Sequence, residues 1–296
     1  MERHLQKIYR RAYSGLVRSW DEYMKDVEVE VQDKWNDYQE AKALGDKSLE
    51  RKTGMAYRQA VKGKTLMDDY YKGMIDEVTT QLAHVNETAV AYVNGELPEI
   101  YAVNLNGANE FIQGYVAGYQ FNLMDKNVAK NLIMGNKKYM DYFKQVDIPK
   151  DKRWNKKLIH SQMTQGILQG ESIPKLAKRF QHVTKSNMES AVRNARTMTT
   201  GIENRGRSDG FDQAQEKGIV INDVWIATND KRTREWHLEL DGAEKPHGEA
   251  FVNEYGEIRY PGDPSAHPAN VYNCRCSLGG RVLGFRRKDG TINYID

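Results

Sequence analysis

The sequence has few cysteines and few prolines, and both shortages are unevenly spread. Two cysteines occur in 296 residues, Cys274 and Cys276, one residue apart. Residues i and i+2 of an extended chain lie about 7 Å apart, beyond easy bridging. No disulfide framework is expected, and the pair points to assembly in a reducing, intracellular compartment. Only seven prolines occur, and none precedes Pro98, so the first third of the chain has no strong helix breaker. No run of about eighteen apolar residues is present, so no membrane span is expected. The N-terminus, Met1-Glu-Arg-His-Leu-Gln-Lys, has no apolar core of the signal-peptide kind. The charge is nearly balanced, at +3, and names no partner. Internal repeats and low-complexity tracts are absent, as are G-x-S-x-G, Walker and H-E-x-x-H patterns.

What is present is helical periodicity followed by a change of character. Leu5, Ile8, Ala12, Leu16, Trp20, Tyr23, Val27, Val31, Trp35 and Tyr38 recur at three- and four-residue steps, predicting one helix over 1–44, roughly 60 Å long. The stripe suits packing within the chain, or docking of another subunit. Gly45-Asp46 marks a break. Leu66, Tyr70, Met74, Ile75, Val78, Leu82 and Val85 predict further helix within 47–93. Asn94-Gly95 and Leu97-Pro98 predict a loop, with Ile100–Gly107 extended or irregular. Helical spacing returns over 107–125, where Gly114 and Gly118 would allow close packing. A subdomain boundary is placed at Ile148-Pro149.

Trp154–Leu168 predicts a helix ending at Gln169-Gly170. Ser172 is a candidate N-cap for the next, with Pro174 early in it. Ser186-Asn187 would cap a longer helix reaching Glu216, burying Met188, Val192, Ala195, Met198, Ile202, Phe211 and Ala214, and closed by Gly218. Residues 150–217 carry fourteen Lys/Arg against seven Asp/Glu. A solvated helix face accounts for that surplus; contact with nucleic acid or an acidic partner is the functional alternative. Ser172–Phe180 followed by Val183–Val192 is similar to a helix-turn-helix, although Gln181-His182 stands at the turn and the second helix is long. Two packed helices explain the pattern better.

Beyond Gly218 the runs Ile219–Ile221 and Val224–Thr228 are β-like. Thr228–Arg232 would lead into a short helix reaching His237, with Asp230 as N-cap and Arg234 pairing with Glu239 or Asp241. Glu249–Val252 and Ile258–Tyr260 suggest a hairpin, and Asn273–Leu278 a returning strand. The expected fold class is α+β: a mainly helical N-terminal region with a small C-terminal α+β module. The divisions are 1–149, helical; 150–217, helical; and 218–296, the small module.

In a strand, Cys274 and Cys276 project from one face and Arg275 from the other. Two thiolates so placed are half of a zinc site, which His237, His247 or His267 would complete. The alternative is two small buried cysteines and a hydrogen-bonded histidine. His237-Leu-Glu239 with a later cysteine pair is similar to the H-x-E…P-C-x-x-C pattern of zinc deaminases. The match fails at the one-residue cysteine spacing and at Asn273, where proline is expected.

Together the motifs carry a resemblance. Gly170–Phe180 is followed by Arg193-Asn-Ala-Arg-Thr-Met-Thr-Thr. Then come Trp225 with Asp230-x-Arg232-Thr-Arg234-x-x-His237, and Asp241-Gly242. Tyr260-Pro-Gly-Asp-Pro and Asn273-Cys-Arg275-Cys-Ser-Leu close the series. In this order, over about residues 150–280, they resemble phage minor head proteins of the Mu protein F-like, or head morphogenesis, family. The resemblance implies a virion component and not an enzyme, present in the host cytoplasm during assembly. Its partners would be the portal protein, other capsid components and packaged DNA. Some relatives carry a toxin domain after the cysteine motif; the chain ends twenty residues past Cys276, so none is expected. His267-Pro268 is not a fixed part of the family pattern, which leaves His237, Cys274 and Cys276 as the stronger zinc ligands.

Overall fold

The computed structural model describes residues 1–66, 68–169, 173–287 and 289–295. Among these residues six α-helices precede the first strand: α1 (Glu2–Ala43), α2 (Lys47–Leu66), α3 (Asp68–Tyr115), α4 (Lys126–Ile133), α5 (Ile148–Leu168) and α6 (Ile173–Glu216). A 3-10 helix, Lys137–Tyr142, lies between α4 and α5. The C-terminal part holds β1 (Ile219–Ile226), α7 (Glu235–Leu238), β2 (Glu244–Pro246), β3 (Phe251–Asn253), β4 (Gly256–Ile258), α8 (Pro268–Val271), β5 (Ser277–Arg286) and β6 (Ile292–Tyr294). The α+β class is therefore as expected, and no described helix is long and apolar enough to cross a membrane.

The chain forms two compact units. One comprises Met1–Glu2, Ala89–Gln145 and Ser190–Asp296; the other comprises Arg3–Thr88 and Val146–Glu189. The second is all helical. Its core gathers Leu16, Ile75, Val78, Leu82, Ile159, Met163, Phe180 and Val183. Leu5 and Leu16 of the α1 stripe are buried, as is Tyr9 beside them, while the side chains of Trp20, Tyr23 and Val27 lie outside the described ones, as do those of Leu66, Tyr70 and Met74. Trp35 packs on Tyr38 and Tyr57, with ring centroids 5.7 and 4.9 Å away. Gly45, at φ +71°, sits in the break expected there.

Two expectations fail here for one physical reason. Helix α3 runs straight through Asn94, Gly95 and Pro98, so there is no loop at 94–98 and no extended piece at 100–107. Proline removes one hydrogen bond and costs about 3 kcal/mol in a helix interior. Against that, Val93, Leu97, Tyr101, Leu105 and Ile112 are all buried on one face, each contributing roughly 1.5–3 kcal/mol. Burial outweighs the local breaker. The helix then stops at Tyr115, not in the 120s. Likewise α6 is one continuous helix through Gln181-His182, which overturns the helix-turn-helix likeness, the two packed helices preferred to it, and the cap at Ser186-Asn187. Asn187 is buried within the helix and donates to Val183 O at 2.9 Å and Asn155 Oδ1 at 2.8 Å. The proposed cap Ser172 and the stop at Gly170 lie outside the described residues.

The first unit is where the sheet and its core sit. Its four-stranded antiparallel sheet has the order β2-β1-β5-β6, and β3 pairs with β4 in the hairpin expected near Tyr255. β1 is a single strand, not two runs. Ile219, Ile221, Asp223 and Trp225 point inward in strict alternation, so Asn222 and Asp223 between the two runs sit mid-strand. Trp225, Phe251, Ile258, Tyr260, Leu278 and both cysteines form the core with Phe211 and Ala214 of α6. Close packing between α3 and α6 occurs at Gly206 and Gly210. A Cβ there would meet Tyr101 O at 2.7 Å and Ala108 Cβ at 2.8 Å. Gly114 and Gly118, expected to play that part, have nothing within 4 Å.

Candidate metal centre

The cysteine motif is held by one face of α6. Thr197, Thr200 and Asn204 are three and four residues apart, so their side chains line up. Thr197 Oγ1 accepts from Asn273 N at 2.8 Å, and Thr200 Oγ1 donates to Cys274 O at 2.8 Å. Asn204 Nδ2 reaches Pro261 O at 2.9 Å and Cys276 O at 3.2 Å, while its Oδ1 accepts from Leu278 N at 2.7 Å. Asn273 takes φ +58°, the left-handed region that asparagine tolerates. The turn there feeds Cys274 inward. β5 begins only at Ser277, so the cysteines precede the strand instead of lying in it, yet the two-faced arrangement holds. Both are free thiols.

His237, on α7, Cys274 and Cys276 come together, all buried, with their ligand-type atoms within 4.8 Å of one another. His237 Nδ1 lies 3.6 Å from Cys274 Sγ and 3.5 Å from Cys276 Sγ. The Cys276 backbone N–H donates to Cys274 Sγ at 3.4 Å. Hydrogen bonding to Cys276 and burial push Cys274 up; the Cys274 hydrogen bond, aided by His237, brings Cys276 down to about 5. His237 Nε2 is buried without a hydrogen-bond partner, and the Trp225 ring stands edge-on to the imidazole, centroids 5.3 Å apart.

His267 is not in this cluster. It caps α8, its Nδ1 accepting from Ala269 N at 3.2 Å, and its ring stacks on Tyr255. Glu239 is exposed and is not among the converging groups. Trp225 is fully buried. Asp230 caps no helix: it accepts from Arg232 N at 2.9 Å and takes two bonds, 2.6 and 2.7 Å, from Arg275. Those hydrogen bonds hold its carboxyl far below the usual range. Arg232 also approaches Asp230, at 3.8 Å. Arg234 donates to Tyr272 O and pairs with neither Glu239 nor Asp241. Asp241 Oδ1 accepts from Ala227 N at 2.8 Å, and Gly242, at φ +74°, donates its N–H to Trp225 O. The motif residues thus join the start of the module to its end.

That assembly is what the comparisons with known proteins match. Residues 157–279 match the family described as Phage Mu protein F like protein. The chain carries a Mu protein F-like region. It is 31% identical over 142 residues to Minor head protein GP7 of Bacillus phage SPP1, covering 45% of each chain. It is 28% identical over 180 residues to NAD(+)--arginine ADP-ribosyltransferase EFV of Enterococcus faecalis (strain ATCC 700802 / V583), covering 57% of this chain and 37% of that one. The matches span less than half the length of these curated relatives. No solved structure gives a significant match.

The Mu F-like region contains polar centres that sequence reasoning missed. His247 Nδ1 lies 2.8 Å from Asp223 Oδ1, and its Nε2 lies 3.1 Å from Asp212 Oδ1. This pairing is why an aspartate can face inward in β1. Burial pulls the imidazole pKa down, but hydrogen bonds to Asp212 and Asp223 and their charges reverse this and raise it to about 9. Asp209 accepts from Tyr101 at 2.8 Å, Tyr139 at 2.9 Å and Lys138 at 3.0 Å, and pairs with Arg205. Apart from Arg205, four residues before Asp209, the partners come from distant parts of the sequence.

Proposed function

We propose that this protein is a phage minor head protein, a virion component that assists head assembly by binding the portal and other capsid proteins. The match of residues 157–279 to the Mu protein F-like family carries the reading, and the relative named a minor head protein supports it. The role is structural and not catalytic. The physical character of the matched region agrees: its motif residues make internal hydrogen bonds, ion pairs and core packing. The protein should co-purify with portal-containing procapsids. Its recovery only from the unassembled cytoplasmic pool would sink the reading.

The relative named an ADP-ribosyltransferase shares 37% of its length with the matched stretch. Incubation of this chain with labelled NAD+ and an arginine-containing acceptor should give no transfer; label on the acceptor would make it an enzyme. A second reading, contact with packaged DNA, is favoured by the exposed Lys150, Arg153, Lys157, Lys175 and Lys178. Binding of this kind should weaken steeply with salt, and no DNA retardation at low salt removes it.

A further inference from the structure

We infer that His237, Cys274 and Cys276 form a zinc site that locks the C-terminal module. The argument starts from the spacing of three donor atoms. Zinc bound tetrahedrally, with Zn–S about 2.3 Å and Zn–N about 2.05 Å, places sulfur and nitrogen about 3.6 Å apart along an edge. Nδ1 stands 3.6 and 3.5 Å from the two sulfurs. An imidazole nitrogen has a single in-plane lone pair, or a single hydrogen. It can therefore make one good hydrogen bond, not two, and a purely hydrogen-bonded cluster leaves one of the two contacts unmet. A cation between the three atoms satisfies all of them.

The surroundings suit a metal thiolate. The Cys276 N–H donates to Cys274 Sγ, the kind of bond that stabilises charge on a ligating sulfur. The side chains are nearly excluded from solvent: His237 and Cys274 are 1% exposed and Cys276 is 3%. Two thiolates and an imidazole select a borderline-soft ion, for which zinc is the common choice. Among the described residues no further His, Cys, Asp or Glu joins the group. Glu239, the nearest sequence candidate for a general base, is exposed, and the site is structural.

Its work is topological. α7 and the cysteine turn are separated by 37 and 39 positions in sequence, and both are irregular or short. A helix of four residues has no stability of its own. Binding free energy at such a site is folding free energy. The metal fixes the inner face of the turn while the Arg275–Asp230 pair fixes the outer one.

The test uses the full chain purified without chelator and dialysed into metal-free buffer. Elemental analysis should find about one zinc per chain, and X-ray absorption should show two sulfur neighbours near 2.3 Å. Exchange with Co2+ should produce a thiolate-to-cobalt charge-transfer band, lost in Cys274→Ser and in Cys276→Ser. Chelation should lower the melting temperature, and added Zn2+ should restore it. The inference is overturned if the wild-type chain retains no zinc and gives no charge-transfer band. It also fails if the bound metal has only nitrogen and oxygen neighbours. Both readings come from the native chain, so a serine variant that fails to fold does not blunt them.

Discussion

Replacing Asp223 with asparagine should change how stability depends on pH. His247 is enclosed: its side chain is 1% exposed and that of Asp223 is 3% exposed. It meets Asp223 from β1, Asp212 from α6 and the edge of the Phe211 ring. The imidazole pKa rises from 6.5 to about 9. The folded value lies above the unfolded one, so the charged form stabilises the fold. That contribution is complete below pH 6.5 and is lost as pH rises through about 9. At about 1.4 kcal/mol per pKa unit the shift corresponds to about 3 kcal/mol. The Asp212 carboxylate is 50% exposed and solvent screens its share, which leaves about 2 kcal/mol tied to Asp223. Denaturant unfolding of both proteins at several pH values between 6 and 9.5 measures the difference. The wild-type curve should fall by about 2 kcal/mol more than that of the Asp223→Asn protein across this window. The imidazole resonance of His247 should titrate near 9 in the wild type and at least one unit lower in the variant. Parallel stability curves, or a wild-type His247 titrating near 6.5, would refute the reasoning.

Three further substitutions probe the packing. Gly206→Ala would drive a methyl group to within 2.7 Å of Tyr101 O, and should cost about 1–3 kcal/mol by the overpacking rule; an unchanged melting temperature would contradict the close approach of α3 and α6. Gly95→Ala has open space around it and helical neighbours on both sides, so it should stabilise by about 0.5–1 kcal/mol; destabilisation would argue that residues 94–98 form a loop after all. Asn204→Ala leaves the Leu278 N–H without its acceptor and should cost about 1–3 kcal/mol, with faster amide exchange at Leu278 as the local readout.

The long helices were legible because burial repeats every three or four residues, as in Ile75, Val78 and Leu82, or Ala195, Met198 and Ile202. Breakers were overrated for the same reason they are usually trusted: Pro98 and Gly95 are weighed locally, whereas Val93, Leu97 and Tyr101 are buried by residues the local window does not contain. The cysteine turn illustrates the limit from the other side. Its chemistry could be read from residue types, and the two-faced pattern of Cys274, Arg275 and Cys276 survives although the residues are not in a strand. The third histidine could not be chosen by spacing. His237, His247 and His267 offered the same donor, and they went to a sulfur cluster, an aspartate pair and a helix cap.

The sequence by itself determined most of the helical segments, though not 94–107, the change of character at Gly218, and the motif order that resembles the Mu protein F-like family, whose match covers residues 157–279. Those properties depend on periodicity, backbone preferences and residue identity, all of which are local. Only the tertiary structure decided which polar groups meet. Asp223 can face inward because His247 arrives from 24 positions away, and Arg275 finds Asp230 across 45. The cysteines' backbone rests on Thr197, Thr200 and Asn204 of a helix more than 70 positions earlier. A buried polar group is stable only with a partner, and the choice of partner depends on how distant elements pack.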